Sequence, residues 1–273
     1  MTMLKIIIKK IKTLINLDLA WAGRYYPKKL ARSFNYYFAS LRANYNEVDI
    51  DGLNIKMFFS HPVQYSFVKK IKNKKHEHNL LVMWKRNSEL NNGAVLDLGG
   101  YSGIFGLISA KINSNSKVFI FEPDSVNARH IENNIVLNNL NNVSFVRGVV
   151  SDKTGQVFFK EHRGGEAGSL ANQGDLKINS YALGNFINLY NIKPTLIKLD
   201  VEGAEYLALS GMKEHLKKAE VLNILLELHY DLIKKYGNTA EDIFKLLDEL
   251  NFKYIYLDKN KYNEHYWVYK KSR

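Results

Sequence analysis

A parallel α/β sheet covered by helices on both faces is the fold this sequence predicts, and three observations predict it. From Ala94 onward, short and nearly all-apolar runs alternate with helical stretches. Strands apolar on both sides belong to a sheet buried on both faces, and strand–helix alternation makes such a sheet parallel. Glycines and carboxylates fall just after the apolar runs. Sheets of this kind bind ligands at the carboxyl ends of their strands.

Ahead of that region, residues 4–15 set Leu4, Ile7, Ile8, Ile11, Leu14 and Ile15 on one helical face and Lys5, Lys9 and Lys12 on the other. Such a stripe either packs on its own domain or a second subunit, or lies on an anionic membrane surface. Residues 21–45 are aromatic and basic and read as helical, broken at Pro27. Residues 48–50 and 53–59 flank Asp51-Gly52 and read as a hairpin, because Asp-Gly suits a type I′ turn. The lysine-rich run 69–75 reads as a solvated face. A helix is expected over 79–90, ended by Asn91-Asn92-Gly93.

The alternation then gives strands at 94–98, 117–121 and 143–150, with helices over 103–113 and 125–140 between them. Later come strand 196–199, helix 204–218, strand 221–228, helix 239–250, and final strands 252–257 and 266–269. Residues 151–193 are the irregular stretch. A strand at 156–160 precedes Arg163-Gly164-Gly165-Glu166-Ala167-Gly168-Ser169, and residues 161–176 read as disordered or as a moving lid. Two parts are expected: a basic extension over 1–91 (amphipathic helix, hairpin, helix) and the α/β domain over 92–273.

Composition narrows the chemistry. The 273 residues include no cysteine, which excludes disulfide scaffolds, thiolate metal sites and cysteine nucleophiles. Net charge is +12. Residues 1–91 carry 17 Lys+Arg against 6 Asp+Glu, and the remainder 22 against 21. An anionic partner or surface is therefore sought for the first third only. No apolar stretch is long enough to span a membrane. Ala20-Trp21-Ala22 imitates a signal-peptide cleavage site, but Lys9, Lys10 and Lys12 interrupt the apolar region it needs. A cytoplasmic protein is expected, with peripheral association at the inner face of the membrane as an option and no DNA partner.

At the first strand tip stands Asp97-Leu98-Gly99-Gly100-Tyr101-Ser102-Gly103. Glycines let the backbone turn sharply and approach a ligand. The spacing is not that of a dinucleotide fingerprint. A carboxylate at this tip complements a cation, and S-adenosylmethionine carries an ammonium and a sulfonium. The second strand ends in Phe121-Glu122-Pro123, where a carboxylate accepts hydrogen bonds from ribose hydroxyls. At the third, Ser151 or Asp152 is placed to bond the adenine amine. The fourth run, Ile197-Lys198-Leu199-Asp200-Val201-Glu202-Gly203-Ala204-Glu205, delivers acids to its tip. Acids so close repel unless a cation, a proton or a hydroxyl shares them. The fifth strand ends in Glu227-Leu228-His229, with Glu227 and His229 on one side.

Together these motifs resemble the FkbM-type S-adenosylmethionine-dependent methyltransferase family over about 94–230, and the fourth-strand run is the specific part. It differs where Tyr101 replaces the family's usual Asn. It also lacks an acid in Ala182-Leu183-Gly184-Asn185. The resemblance implies a Rossmann-like seven-stranded sheet and O-methylation, often of sugar or polyketide hydroxyls. It places Asp97, Gly99 and Gly103, with Gly100 and Tyr101 between them, at the cofactor loop and Glu122-Pro123 at the ribose. A hydroxyl is a poor nucleophile near neutral pH, so a base or a metal must help. Asp200 is the first base candidate and His229 the second. Glu202 stands beside them, and Asp200, Glu202 and Glu227 would suit magnesium. The rival readings are an RNA or protein methyltransferase using the basic N-terminal region, and a non-catalytic cofactor-binding protein. No Asn/Asp-Pro-Pro-aromatic run follows the fourth strand, which counts against methylation of a flipped base.

Overall fold

The computed structural model describes residues 45–59, 62–75, 77–161, 169–171, 176–218, 222–259 and 263–270. The amphipathic segment 4–15, the aromatic segment 21–44 and most of the expected lid lie outside them. Strands β1 (Tyr45–Ile50) and β2 (Leu53–Phe58) form the expected hairpin. Asp51 and Gly52 both adopt positive φ, 53° and 85°, as a type I′ turn requires. Helix α1 (Pro62–Lys72) follows, then α2 (His78–Glu89).

Helix α1 was hidden under the lysine run. Gln64, Val68 and Ile71 are its buried positions at helical spacing, while Lys69, Lys70 and Lys72 stay in solvent. The solvated face is thus one side of a helix.

The alternating region supplies β3 (Ala94–Leu98), α3 (Ile104–Ile112), β4 (Val118–Glu122), α4 (Ser125–Leu137) and β5 (Val143–Arg147). The strand expected over 143–150 is two. Gly148 breaks it at φ 157°, where a Cβ would meet the Asn179 carbonyl oxygen at 2.6 Å. The chain leaves the central sheet there and enters a second one. That sheet comprises β6 (Val149–Ser151), β7 (Gly155–Lys160), β8 (Ser169–Ala171) and β9 (Leu176–Ala182), in the order β6-β9-β7-β8. Together with α5 (Leu183–Tyr190), it gives regular structure to much of a stretch that read as irregular.

Next come β10 (Pro194–Leu199), α6 (Glu205–Ser210), α7 (Lys213–Lys218) and β11 (Leu222–Leu228). The helix expected over 204–218 is also two. It breaks at Gly211, which packs so closely on Ser151 that a Cβ would lie 2.2 Å from the Ser151 carbonyl oxygen. After a short helix, α8 (Tyr230–Ile233), come α9 (Ala240–Glu249), β12 (Lys253–Lys259) and β13 (Glu264–Lys270). Thr239 and Asp242 close a reciprocal cap at the start of α9.

The central sheet has seven strands in the order β12-β13-β11-β10-β3-β4-β5. Strands β11, β10, β3, β4 and β5 are mutually parallel. Strand β13 runs antiparallel between β11 and β12. Alternate residues feed opposite faces, as the period of a strand dictates. Leu96, Leu98, Phe119 and Phe121 join the core under α5, α6 and α9. Val95, Val118 and Ile120 join the core under the hairpin, α2, α3 and α4. The strand order reverses between β3 and β10, and a crevice opens there at the carboxyl ends.

Trp84 fastens α2 to this core. It is fully buried, and its indole N–H bonds Phe105 O at 2.9 Å and Ser109 Oγ at 2.8 Å. Trp84→Phe should cost about 2 kcal/mol for the lost polar partner. At this size that is roughly 4–8 °C in Tm by thermal melting. An unchanged Tm would mean that α2 is not held by this contact.

Candidate active site

The crevice is a cleft of about 410 Å³. One wall is the loop after β3. Gly99 has φ 78°, and a Cβ there would sit 1.7 Å from the Asp200 carbonyl oxygen. Only glycine lets these two strand tips meet. Tyr101 also takes a left-handed φ, 50°, a conformation that Asn adopts more readily. Its ring meets Phe67 of α1 edge-on, with centroids 4.9 Å apart.

Glu122 ends β4 and lines the cleft beside Pro123. Its Oε2 accepts the Tyr101 N–H at 2.8 Å and its Oε1 the Asp124 N–H at 2.9 Å. Burial pushes Glu122 up to about 7, against those two bonds. Each oxygen keeps a lone pair for a further donor. Gly148, Val149, Val150 and Phe159 complete this end of the cleft.

Several expected contacts lie elsewhere. Asp97 does not line the cleft. Its side chain shares the α3 face of the sheet with Val95, is fully buried, and accepts the Gly106 N–H at 2.9 Å. It thereby satisfies a donor in the first turn of α3. Gly103, φ 78°, is the residue before α3 and is likewise outside the cleft wall. Ser151 and Asp152 bond each other, Oγ to Oδ1 at 3.0 Å, and are also outside it. The break at Gly148 carries them into the second sheet.

The opposite wall is the acidic turn after β10. Lys198 was passed over in the sequence, and it organises this wall. It is buried, and its Nζ bonds Gly99 O at 2.6 Å and Asp200 Oδ2 at 2.7 Å. Burial works against its charge, but Asp200 and Asp97 outweigh that and hold the ammonium above its usual range. The signal was a lysine in an otherwise apolar buried strand, two residues before an acid. Asp200 is raised by burial and by Glu227, with Lys198 pulling the other way.

Glu202 (φ 53°) and Gly203 (φ 100°) make the turn that carries the chain away from β10. A Cβ on Gly203 would strike Leu232 backbone at 2.6 Å. Burial, with Asp200 adding to it, pushes Glu202 up to about 7.

His229 stands behind this turn and does not line the cleft. Its Nδ1–H bonds the fully buried Glu205 at 2.9 Å. Its Nε2 faces Glu202 at 3.3 Å and Asp200 at 3.7 Å. Burial pulls the imidazole down, but the Glu205 bond and the carboxylates around it carry it up to about 9. Held by Glu205 on one ring nitrogen and facing Glu202 and Asp200 with the other, His229 braces the turn from behind the cleft wall.

The magnesium set also changes. Among the described residues, two groups bring donor atoms within 4.8 Å of one another: Asp200, Glu227 and His229, and Glu77, Glu227 and His265. Glu202 is in neither, and each contains an imidazole where magnesium wants oxygen. The residues present do not fit the ion expected over Asp200, Glu202 and Glu227.

A seven-stranded sheet of this order, with a glycine-walled cleft at its switch point and a carboxylate at the next strand tip, is the Rossmann-like architecture of S-adenosylmethionine-dependent methyltransferases. The model of the methyltransferase FkbM domain matches residues 97–254, over half the chain, and the chain belongs to the FkbM methyltransferase family. A search among curated proteins finds no match.

Solved structures are similar to this chain at low identity. Precorrin-6y C5,15-methyltransferase from Geobacter metallireducens is 12% identical, with 71% of this chain and 89% of that one covered and a TM-score of 0.45. Magnesium protoporphyrin IX methyltransferase from Synechocystis, with bound S-adenosylhomocysteine, is 13% identical, covering 78% and 88%, at 0.43. TYW2 from M. jannaschii, in complex with AdoMet, is 12% identical, covering 83% and 84%, at 0.42. Among the described residues, no helix is long and apolar enough to cross a membrane.

Proposed function

We propose that this protein methylates a hydroxyl of a sugar, glycan or secondary metabolite, with Asp200 taking the hydroxyl proton. One observation carries the reading: Lys198 Nζ bonds the cofactor-loop carbonyl of Gly99 and the carboxylate of Asp200 together. A single buried cation thus sets the base against the cofactor loop. The cleft fits S-adenosylmethionine, since Gly99 and Gly100 bring bare backbone to its wall and Glu122 offers two fixed oxygens.

When bound, S-adenosylmethionine supplies a methyl group already electrophilic on sulfonium. Glu122 holds the ribose through its two hydroxyls. Asp200 would orient the acceptor hydroxyl and take its proton as the oxygen–methyl bond forms and the sulfur–methyl bond breaks; the products would be a methyl ether, S-adenosylhomocysteine and a protonated Asp200 that solvent resets. Burial raises the proton affinity of Asp200 towards that of a useful base. Asp200, Glu202, Glu227, Asn263, Phe67 and Tyr236 also line the cleft, and this reading gives them the acceptor. Carboxylates and an amide accept hydroxyl donors, and ring faces pack on sugar C–H surfaces. The same acids repel phosphates, which disfavours an RNA acceptor.

The test is transfer of labelled methyl from S-adenosylmethionine to purified glycan, RNA and protein fractions. Label in the glycan or small-molecule fraction is expected. Label in RNA alone, or cofactor binding without transfer to any fraction, would overturn the reading.

Cofactor binding should also follow pH. A carboxylate accepts from both ribose hydroxyls only when ionised, and Glu122 stands at about 7 in the free protein. S-adenosylhomocysteine affinity should therefore fall as pH drops below that value, by up to about tenfold per unit, or 1.4 kcal/mol. It should level off above. Calorimetry across this range should show the slope in the wild type and a flat profile in Glu122→Gln. A slope that persists in the variant would assign the proton elsewhere.

A further inference from the structure

The geometry points to a divalent transition-metal site formed by Glu77, Glu227 and His265 beside the cleft. It goes beyond methyl transfer and does not depend on that reading. The three residues come from distant parts of the chain: the residue before α2, the tip of β11 and the start of β13. Their donor atoms all lie within 4.8 Å of one another.

The second observation is His265 itself. It is 4% exposed, and its Nε2 makes no hydrogen bond. Glu227 Oε2 is 3.2 Å away, close enough for an ion pair but off the N–H direction. Two ligands on one ion, each at about 2.0–2.2 Å, sit about 3 Å apart, so this spacing is that of neighbours in one coordination sphere.

The outer shell is present too. His265 Nδ1 is tied to Asp258 Oδ1 at 2.7 Å, which fixes the ring, and Nε2, facing Glu227 Oε2, would give up its proton to coordinate the ion. Asn263 Nδ2 donates to Glu227 Oε1 at 2.6 Å and leaves Oε2 for the ion. Glu77, Glu227 and Asn263 line the cleft, so open coordination positions face it.

The donor chemistry selects the ion. One imidazole with two carboxylates suits zinc or manganese, whereas magnesium and calcium take oxygen sets. The other group, around His229, is less suited: the carboxylate nearest its Nε2 is Glu202, at 3.3 Å, which is not one of that group's donors.

The experiment is calorimetric titration of Zn²⁺, Mn²⁺ and Mg²⁺ into the full chain in a non-chelating buffer. Saturable binding of one Zn²⁺ or Mn²⁺ per chain is expected, with none for Mg²⁺. Glu77→Gln and His265→Gln should each weaken it by at least about tenfold. Glu77 is half-buried at the start of α2, so that variant should stay folded if His265→Gln does not, and melting curves check both. No saturable binding in the wild type, or equal binding in a folded Glu77→Gln, would overturn the site. So would an ion lost in His229→Gln but kept in Glu77→Gln, which would place it on the other side of Glu227.

Discussion

Asp200→Asn should lower turnover by about 10²- to 10⁴-fold, the range a general base contributes, or about 3–5.5 kcal/mol of barrier. Cofactor affinity should stay within a few-fold, because the Glu122 contacts are untouched. The substitution keeps size and removes charge. It also leaves Lys198 without its closest anion, although the Gly99 carbonyl and the field of Asp97 remain. Breaking a buried pair is costly, so Tm should fall and kcat must be compared on folded protein well below the melting range. Glu202→Gln is the control. Glu202 is more exposed and bonds neither Lys198 nor Gly99, so most of the turnover should survive. Steady-state kinetics on the true acceptor decides the matter. If folded Asp200→Asn turns over like the wild type, Asp200 is not the base.

Among the described glycines, Gly99→Ala should be the most damaging alanine substitution. The added methyl carbon would overlap the Asp200 carbonyl oxygen at 1.7 Å, and that atom is backbone and cannot swing aside. The φ of 78° adds the strain of a left-handed residue. Overpacking of this kind costs about 1–3 kcal/mol, occasionally more. Here relief would require β3 and β10 to part at the tips that form the site. Cofactor binding should vanish, and Tm should fall even in the variant's best buffer. Gly52→Ala is the comparison, since its φ is also positive but no atom lies within 4 Å of the position a Cβ would take. It should cost only the turn strain and leave binding intact. Normal cofactor affinity in Gly99→Ala would mean that the loop does not approach the ligand.

The sequence disclosed those features that repeat or that sit at strand tips. Strands β3, β4, β10 and β11 were legible because they are apolar on both sides, and each side meets a core. Gly99, Glu122 and Asp200 were legible because tips of parallel strands are where a ligand goes. What failed to show depends on partners far away in the chain. Val149 and Val150 looked like the end of one strand, and only Asn179 against Gly148 explains the split. Gly211 lies inside the helix expected over 204–218, and only Ser151 packed against it explains the break.

Asp97 read as a cofactor ligand because proximity to a glycine loop outweighed strand period. Its neighbours Leu96 and Leu98 face one core, so Asp97 faces the other, towards α3. No local pattern shows that Glu205 and Glu202 flank His229. Glu77 and His265 gave no local signal at all. Lys198 did give one: a charge inside an apolar strand needs a buried partner, and Asp200 stands two residues on, on the same face.

The cleft between Gly99, Glu122 and Asp200 is proposed to hold S-adenosylmethionine. The most direct measurement is calorimetric titration of S-adenosylhomocysteine into wild-type protein and into folded Glu122→Ala, above the pH at which Glu122 ionises. Expected is one saturable site in the wild type, weakened in the variant by the loss of two hydroxyl contacts to a charged acceptor. Each is worth about 1.5–3 kcal/mol before water compensates. Equal affinity in the two proteins, or no binding to either, would contradict it.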